Sequence, residues 1–140
     1  MKTIIVAAAL LVCAALAGAA EEPGVTFVGH DQVAKGGGLV TAPNLSITVA
    51  HRSEPGMVEL HDKETDTFYV LDGSATIVTG GTMVGGSVTG PRQQRGTDIK
   101  GGQTQRLTKG DVMVIPAGVP HWFKEVTGSI DYYVVKVIAP

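Results

Sequence analysis

GDVMVIPAGVPHWFKE, residues 110–125, decides the fold class of this 140-residue chain. Val112 and Val114 alternate with Met113 and Ile115, the period-two pattern of a strand whose faces meet different surroundings. Pro116 ends that strand, since proline has no N–H for a ladder and fixes its own φ. Gly118 supplies the freedom of a turn. The chain resumes in extended form at His121, with Phe123 and Glu125 on the imidazole's side and Trp122 and Lys124 opposite. A histidine placed there either packs in the core or points into a cavity and holds something.

Working outward, the same pattern recurs. GVTFVG, NLSITVAHR, MVELH, TFYVLDG, SATIVTG, QRLTKG, DVMVIP and IDYYVVKVIA are short runs rich in Val, Ile, Thr and Tyr. Gly, Pro, Asp and Asn punctuate them, and Asp72–Gly73 reads as a hairpin turn. No window carries a helical period of 3.6. The expectation is an all-β sandwich or barrel of about eight to ten strands. KGGG at 35–38 reads as a turn. Residues 80–102 hold eight glycines and one proline, a glycine-rich insertion. It is either an extended hairpin arm, covering a pocket mouth or reaching a second subunit, or a mobile surface loop.

Residues 1–20, MKTIIVAAALLVCAALAGAA, have a lysine at position 2, an apolar run and a small-residue end. That is the layout of a secretory signal peptide, followed by a single domain over 21–140. Cleavage would remove Cys13, the only cysteine, so the mature domain could make no disulfide and use no thiolate. It would leave 10 basic against 13 acidic residues, with no basic stripe to neutralise phosphates. A secreted or periplasmic protein that binds neither nucleic acid nor, once cleaved, a membrane is expected.

The four histidines are His30, His51, His61 and His121. On a strand over 57–63, Glu59, His61 and Lys63 share one face, with Val58 and Leu60 on the other. Asp66 begins the next strand, on the face of Phe68 and Val70. His51 lines a pocket or caps a strand end. Phe68, Met113 and Phe123 are pocket walls or core. Glu59 has an alternative use as ion-pair partner of Lys63 or of an arginine.

These two stretches resemble the two motifs of the cupin superfamily. The second motif is met in spacing by Gly110, Pro116, Gly118, His121 and Glu125, with Glu125 where Asn is common. The first is met by Glu59, His61, Asp66 and Gly73, with Glu in place of one His and Asp in place of Glu. The resemblance covers roughly residues 40–138. It implies a double-stranded β-helix, a jelly-roll barrel of two antiparallel sheets, often dimeric, with one metal ion deep inside. It places Glu59, His61, Asp66 and His121 at the ligand positions.

Two imidazoles and two carboxylates suit a divalent Mn, Fe, Ni or Zn ion better than Cu(I). Two carboxylates would leave a divalent ion neutral overall. The implied function is metal-dependent chemistry on a small organic molecule, of dioxygenase, isomerase or lyase type. Glu59 would then be the fourth ligand or, if unligated, the general base. The alternative is a non-catalytic module that captures a small ligand or a metal.

Overall fold

The computed structural model describes residues 24–140, so the expected signal peptide lies outside the described residues. In chain order the elements are α1 (His30–Lys35), β1 (Gly37–Ala42), β2 (Leu45–Arg52), β3 (Val58–His61), β4 (Glu64–Thr79), β5 (Thr82–Val84) and β6 (Ser87–Gly90). Then follow β7 (Gln93–Gly96), β8 (Asp98–Lys100), β9 (Gln103–Thr108), β10 (Val112–Ile115) and β11 (His121–Ile138).

Two strands organise the rest. β4 has 16 residues and β11 has 18, and they pair antiparallel along their lengths. Each serves two sheets. The first half of β4 and the second half of β11 belong to a sheet ordered β10–β4–β11–β2–β1. Their other halves join β9, β3, β7 and β6 in a second sheet. The core fills the space between, with Phe68, Val70 and Tyr132 from one sheet against Ala75, Ile77, Leu107 and Phe123 from the other. This is the all-β class that the strand pattern implied and the jelly roll that the resemblance implied. Every sheet pairing is antiparallel.

The long strands change sheets where Gly73, at φ +77°, lies opposite Ile130, with Gly128, at +71°, in the bulge just before it. The ladder register shifts between Thr127 and Ile130 at that corner. Asp72–Gly73 is therefore not a hairpin turn but a bend inside one strand, and TFYVLDG and SATIVTG are one element. The reason is close approach: a Cβ on Gly73 would lie 1.9 Å from the Ser129 carbonyl oxygen.

Three further local expectations differ. Residues 24–29 are not a strand; they lead into α1, a six-residue helix with no buried residue. Too few residues are present for a helical period to show. KGGG is not simply a turn, because Gly37 and Gly38 begin β1 and pair with Val49 and Thr48. The glycine-rich insertion is ordered as an arm. β6 and β7 form a hairpin whose β7 pairs with β3, and β5 pairs with β8. The arm adds the strands that carry the count among the described residues to eleven. Among the described residues no helix is long and apolar enough to cross a membrane.

Candidate metal centre

Strand alternation aims four side chains at one point. On β3, Glu59 and His61 share a face. Asp66 precedes Phe68 and Val70 on the inner face of β4, and all three are buried. His121 starts β11 directly opposite Glu59. Pro116 and Gly118 set the start of β11, since the Gly118 N–H donates to the His61 carbonyl at 2.7 Å. The turn thus locks one histidine against the other.

His61 and His121 are 4% and 3% exposed, with ring centroids 5.3 Å apart. The Nε2 of each is buried and has no hydrogen-bond partner. Both point at the same two oxygens. His61 Nε2 lies 3.6 Å from Glu59 Oε2 and 3.5 Å from Asp66 Oδ2. His121 Nε2 lies 3.8 Å and 3.7 Å from those atoms. Bonds of about 2.0–2.2 Å to a shared ion would put neighbouring ligand atoms roughly 2.8–3.6 Å apart, so these four imidazole–carboxylate pairs would need to contract by only a few tenths of an ångström.

The tautomer agrees. His121 Nδ1 lies 3.2 Å from the Val119 carbonyl, which can only accept. Nδ1 therefore carries the proton and Nε2 presents its lone pair to the centre. Burial holds the His121 imidazole below its ordinary pKa, against the raising effects of that carbonyl and of Asp66 and Glu59, which keeps the lone pair free.

Each carboxylate already has a cation behind it. Arg95, on β7 of the arm and opposite Glu59 in the ladder, donates to Glu59 Oε1. Lys136, opposite Asp66 on β11, donates to both Asp66 oxygens at 2.7 and 2.9 Å. Glu64 adds a third carboxylate, 3.3 Å from Lys136 Nζ, 3.7 Å from His61 Nδ1 and 4.0 Å from Arg92. His61, Glu64 and Asp66 thereby form a second cluster of potential ligands beside Glu59, His61 and His121.

Burial alone would raise the Glu59 carboxyl. The neighbouring His61 ring and the charges of Arg95 and the two histidines outweigh it and bring it down to about 2. Glu59 is therefore an ionised carboxylate at neutral pH, with Oε2 facing the two imidazoles. The expectation that two carboxylates would neutralise a divalent ion changes. Arg95 and Lys136 already offset them, and a bound ion would be left with more of its charge.

Of the other sequence candidates, Phe68 and Phe123 are buried at 3% and 4%, stacked with centroids 5.6 Å apart, and Phe68 sits edge-on to His121 at 6.3 Å. Met113 packs against the same core. His51 and Lys63 are elsewhere. His51 faces outward and pairs with Asp131 at 2.7 Å, beside a cleft between α1 and β2. Lys63 lies past the end of β3, where the turn breaks the alternation, and donates to the Pro140 carbonyl instead of meeting Glu59. Glu125, the final motif position, is exposed and accepts from Thr76, because the ladder shifts register between Phe123 and Glu125. Glu64, Arg95 and Lys136 were missed. Lys136 was legible in principle, as a lysine alternating with Tyr132 and Val134 on an inner face. Arg95 was not, because it depends on where the arm folds back.

With these features in place, the chain belongs to the cupin family: the family model described as Cupin matches residues 39–137. The fold is similar to the cupin domain of Schizosaccharomyces pombe Cnp3, at 15% identity over 74% of this chain and 60% of that one, with a TM-score of 0.54. It is also similar to KdgF from Halomonas sp., at 15% identity over 75% and 80% of the two chains, TM-score 0.53. A cupin superfamily protein from Desulfitobacterium hafniense matches at 18% identity over 74% and 76%, TM-score 0.51. At these identities the likeness concerns the fold, and the chain spans only 60% of the first of these structures. No curated protein sequence matches the chain.

Proposed function

We propose that this cupin holds one divalent ion, Mn, Fe, Ni or Zn, on His61, His121, Glu59 and Asp66, and acts with it on a small organic molecule. The observation that carries this reading is the pair of buried, unpartnered Nε2 atoms facing Glu59 Oε2 and Asp66 Oδ2. Leaving two such atoms unsatisfied is costly unless something completes them. When bound, the ion would supply Lewis acidity to a substrate oxygen. The chain would do the rest: Arg95 and Lys136 hold the two carboxylates in place, Val119 fixes the His121 tautomer, and Phe68 and Phe123 keep the interior dry.

Oxidoreductase, isomerase and lyase chemistry all suit such a centre. A second reading is a non-catalytic module that captures a small ligand or the metal itself. One observation favours it: Glu59 and Asp66 both carry cationic partners, so neither is a free general base. The protein is further proposed to be exported by residues 1–20 and to pair as a homodimer through the outer face of the β10–β4–β11–β2–β1 sheet.

The test is elemental analysis of untagged protein beside His61→Ala and His121→Ala. About one ion per chain, lost in both variants while their circular dichroism is kept, is expected. Absence of metal after loading with Mn²⁺, Fe²⁺ and Zn²⁺ would sink the reading. Turnover of candidate substrates by the loaded protein separates enzyme from binding module. The intact mass of the exported chain reports the cut.

A further inference from the structure

A half-buried cation at the end of β2, Arg52, is not used by the metal centre. Ala50 on β2 packs against the core. Arg52, two residues on, continues that inner face to the strand's end. Its guanidinium lies over the buried Phe123 ring, 4.8 Å from the centroid. The bed for it is Gly56, whose N–H donates to the Phe123 carbonyl at 3.0 Å and whose carbonyl accepts from Trp122 Nε1 at 2.7 Å. A Cβ on Gly56 would fall 2.6 Å from Arg52 Nη1, so glycine there makes room for the guanidinium.

Of the four arginines, Arg92 and Arg95 face carboxylates and Arg106 donates to Ser74 Oγ. Arg52 has no carboxylate partner among the described residues, and its Nε is buried without any hydrogen-bond acceptor. The nearby carboxylates offer it no spare charge. Glu59, Asp66 and Glu64 are matched by Arg95, Lys136 and Arg92. Arg52 is therefore a half-buried positive charge without a carboxylate partner, and a divalent ion would add to it. Tyr132, buried near Arg52, has its phenol held protonated by burial against the opposing pull of the guanidinium, so it remains an O–H donor.

We propose that the barrel receives a small organic acid, its carboxylate on the Arg52 guanidinium with the Tyr132 hydroxyl as a second donor, its other end toward His61 and His121. The planar fork of arginine matches a carboxylate, and a neutral amide cannot replace that charge. Phe123 and His121 are two residues apart on one strand face, about 7 Å, which suits a molecule of a few carbons. This assignment deepens the metal-centre reading by naming its substrate class, yet the Arg52 subsite can be measured without the metal.

The test is isothermal titration with propionate, lactate and benzoate, each beside its own amide, on metal-loaded and chelator-treated protein. At least one acid is expected to bind about tenfold or more tightly than its amide. Arg52→Gln should abolish that preference with metal content and melting temperature unchanged. Should Arg52→Gln fail to fold, Arg52→Lys, which keeps the charge and loses the fork, should weaken the preference about threefold or more. The proposal is overturned by wild-type protein that binds no acid better than its amide, or by an undiminished preference in the folded variant. Acid preference kept without metal, and lost only on changing Arg52, would uphold this subsite even if the metal reading failed.

Discussion

Asp66 is one methylene shorter than the glutamate that the cupin motif leads one to expect, and it still arrives. Its Oδ2 is 3.5 and 3.7 Å from the two imidazole nitrogens because the backbone pairing of Asp66 with Lys136 brings it in. Lys136 then stops the carboxylate from rotating away. Arg95 does the same for Glu59, holding Oε1 so that Oε2 faces both histidines. Two effects would follow from removing Arg95. The site would become more negative, which attracts a cation, and Glu59 would lose its anchor, which spoils a ligand's position. Partners behind a ligand are typically worth ten- to a hundredfold in metal affinity, so the loss of position should win. Arg95→Ala is expected to weaken Mn²⁺ or Zn²⁺ binding by about tenfold or more in a competition titration, with Arg95→Lys between it and the native protein. Tighter binding in Arg95→Ala would show that charge dominates.

At the scale of elements, the sheet-switching strands carry the architecture. A strand that must leave one sheet and join another needs a corner, and β4 makes it at Gly73 against Ser129 and Ile130 of β11. Alanine there meets both a φ of +77° and a backbone oxygen at contact distance. Gly73→Ala should cost about 2 kcal/mol or more, lowering the melting temperature by roughly 10 °C. Gly80→Ala, with nothing within 4 Å of its Cβ, shares a similar φ of +74° and so isolates the backbone strain from the clash. Equal losses in the two variants would refute the corner's steric role. The arm belongs to this scale as well. Its pairing of β7 with β3 turns a glycine-rich insertion into a wall of the centre, with Arg95 as the contact.

For the whole molecule, the unexplained surface is the outer face of the β10–β4–β11–β2–β1 sheet. Alternation sends Val112, Val114, Tyr69 and Val137 outward, and they are 64%, 58%, 45% and 49% exposed. Cross-strand register puts Val112, Tyr69, Tyr133 and Val49 in one row, with Val114 and Val135 flanking Thr67 in the next. A contiguous apolar sheet face is more than scattered surface hydrophobes, and a second copy would cover it symmetrically. Light scattering should give twice the chain mass for the native protein and the single mass for Val114→Glu, which lies on an edge strand and costs the monomer little. A monomeric native protein at micromolar concentration would dismiss the dimer.

The strand class, the two long-range motifs and four of the converging side chains were legible in the chain itself. Period-two alternation forces Glu59 with His61, Asp66 with Phe68 and His121 with Phe123 onto common faces, and spacing around Pro116 and Gly118 marks a turn, because both are local properties of the backbone. The cations were decided only by tertiary structure. Arg95 meets Glu59 through a pairing that spans 36 residues, Lys136 meets Asp66 across 70, and Arg52 comes over Phe123 because a loop closes at Gly56. The same holds for Asp72–Gly73, a turn signal that became a bend because β11 passes beside it. Sequence patterns report which face a residue takes; which opposite charge waits on that face depends on ladder register, and that is set by the whole barrel closing at once.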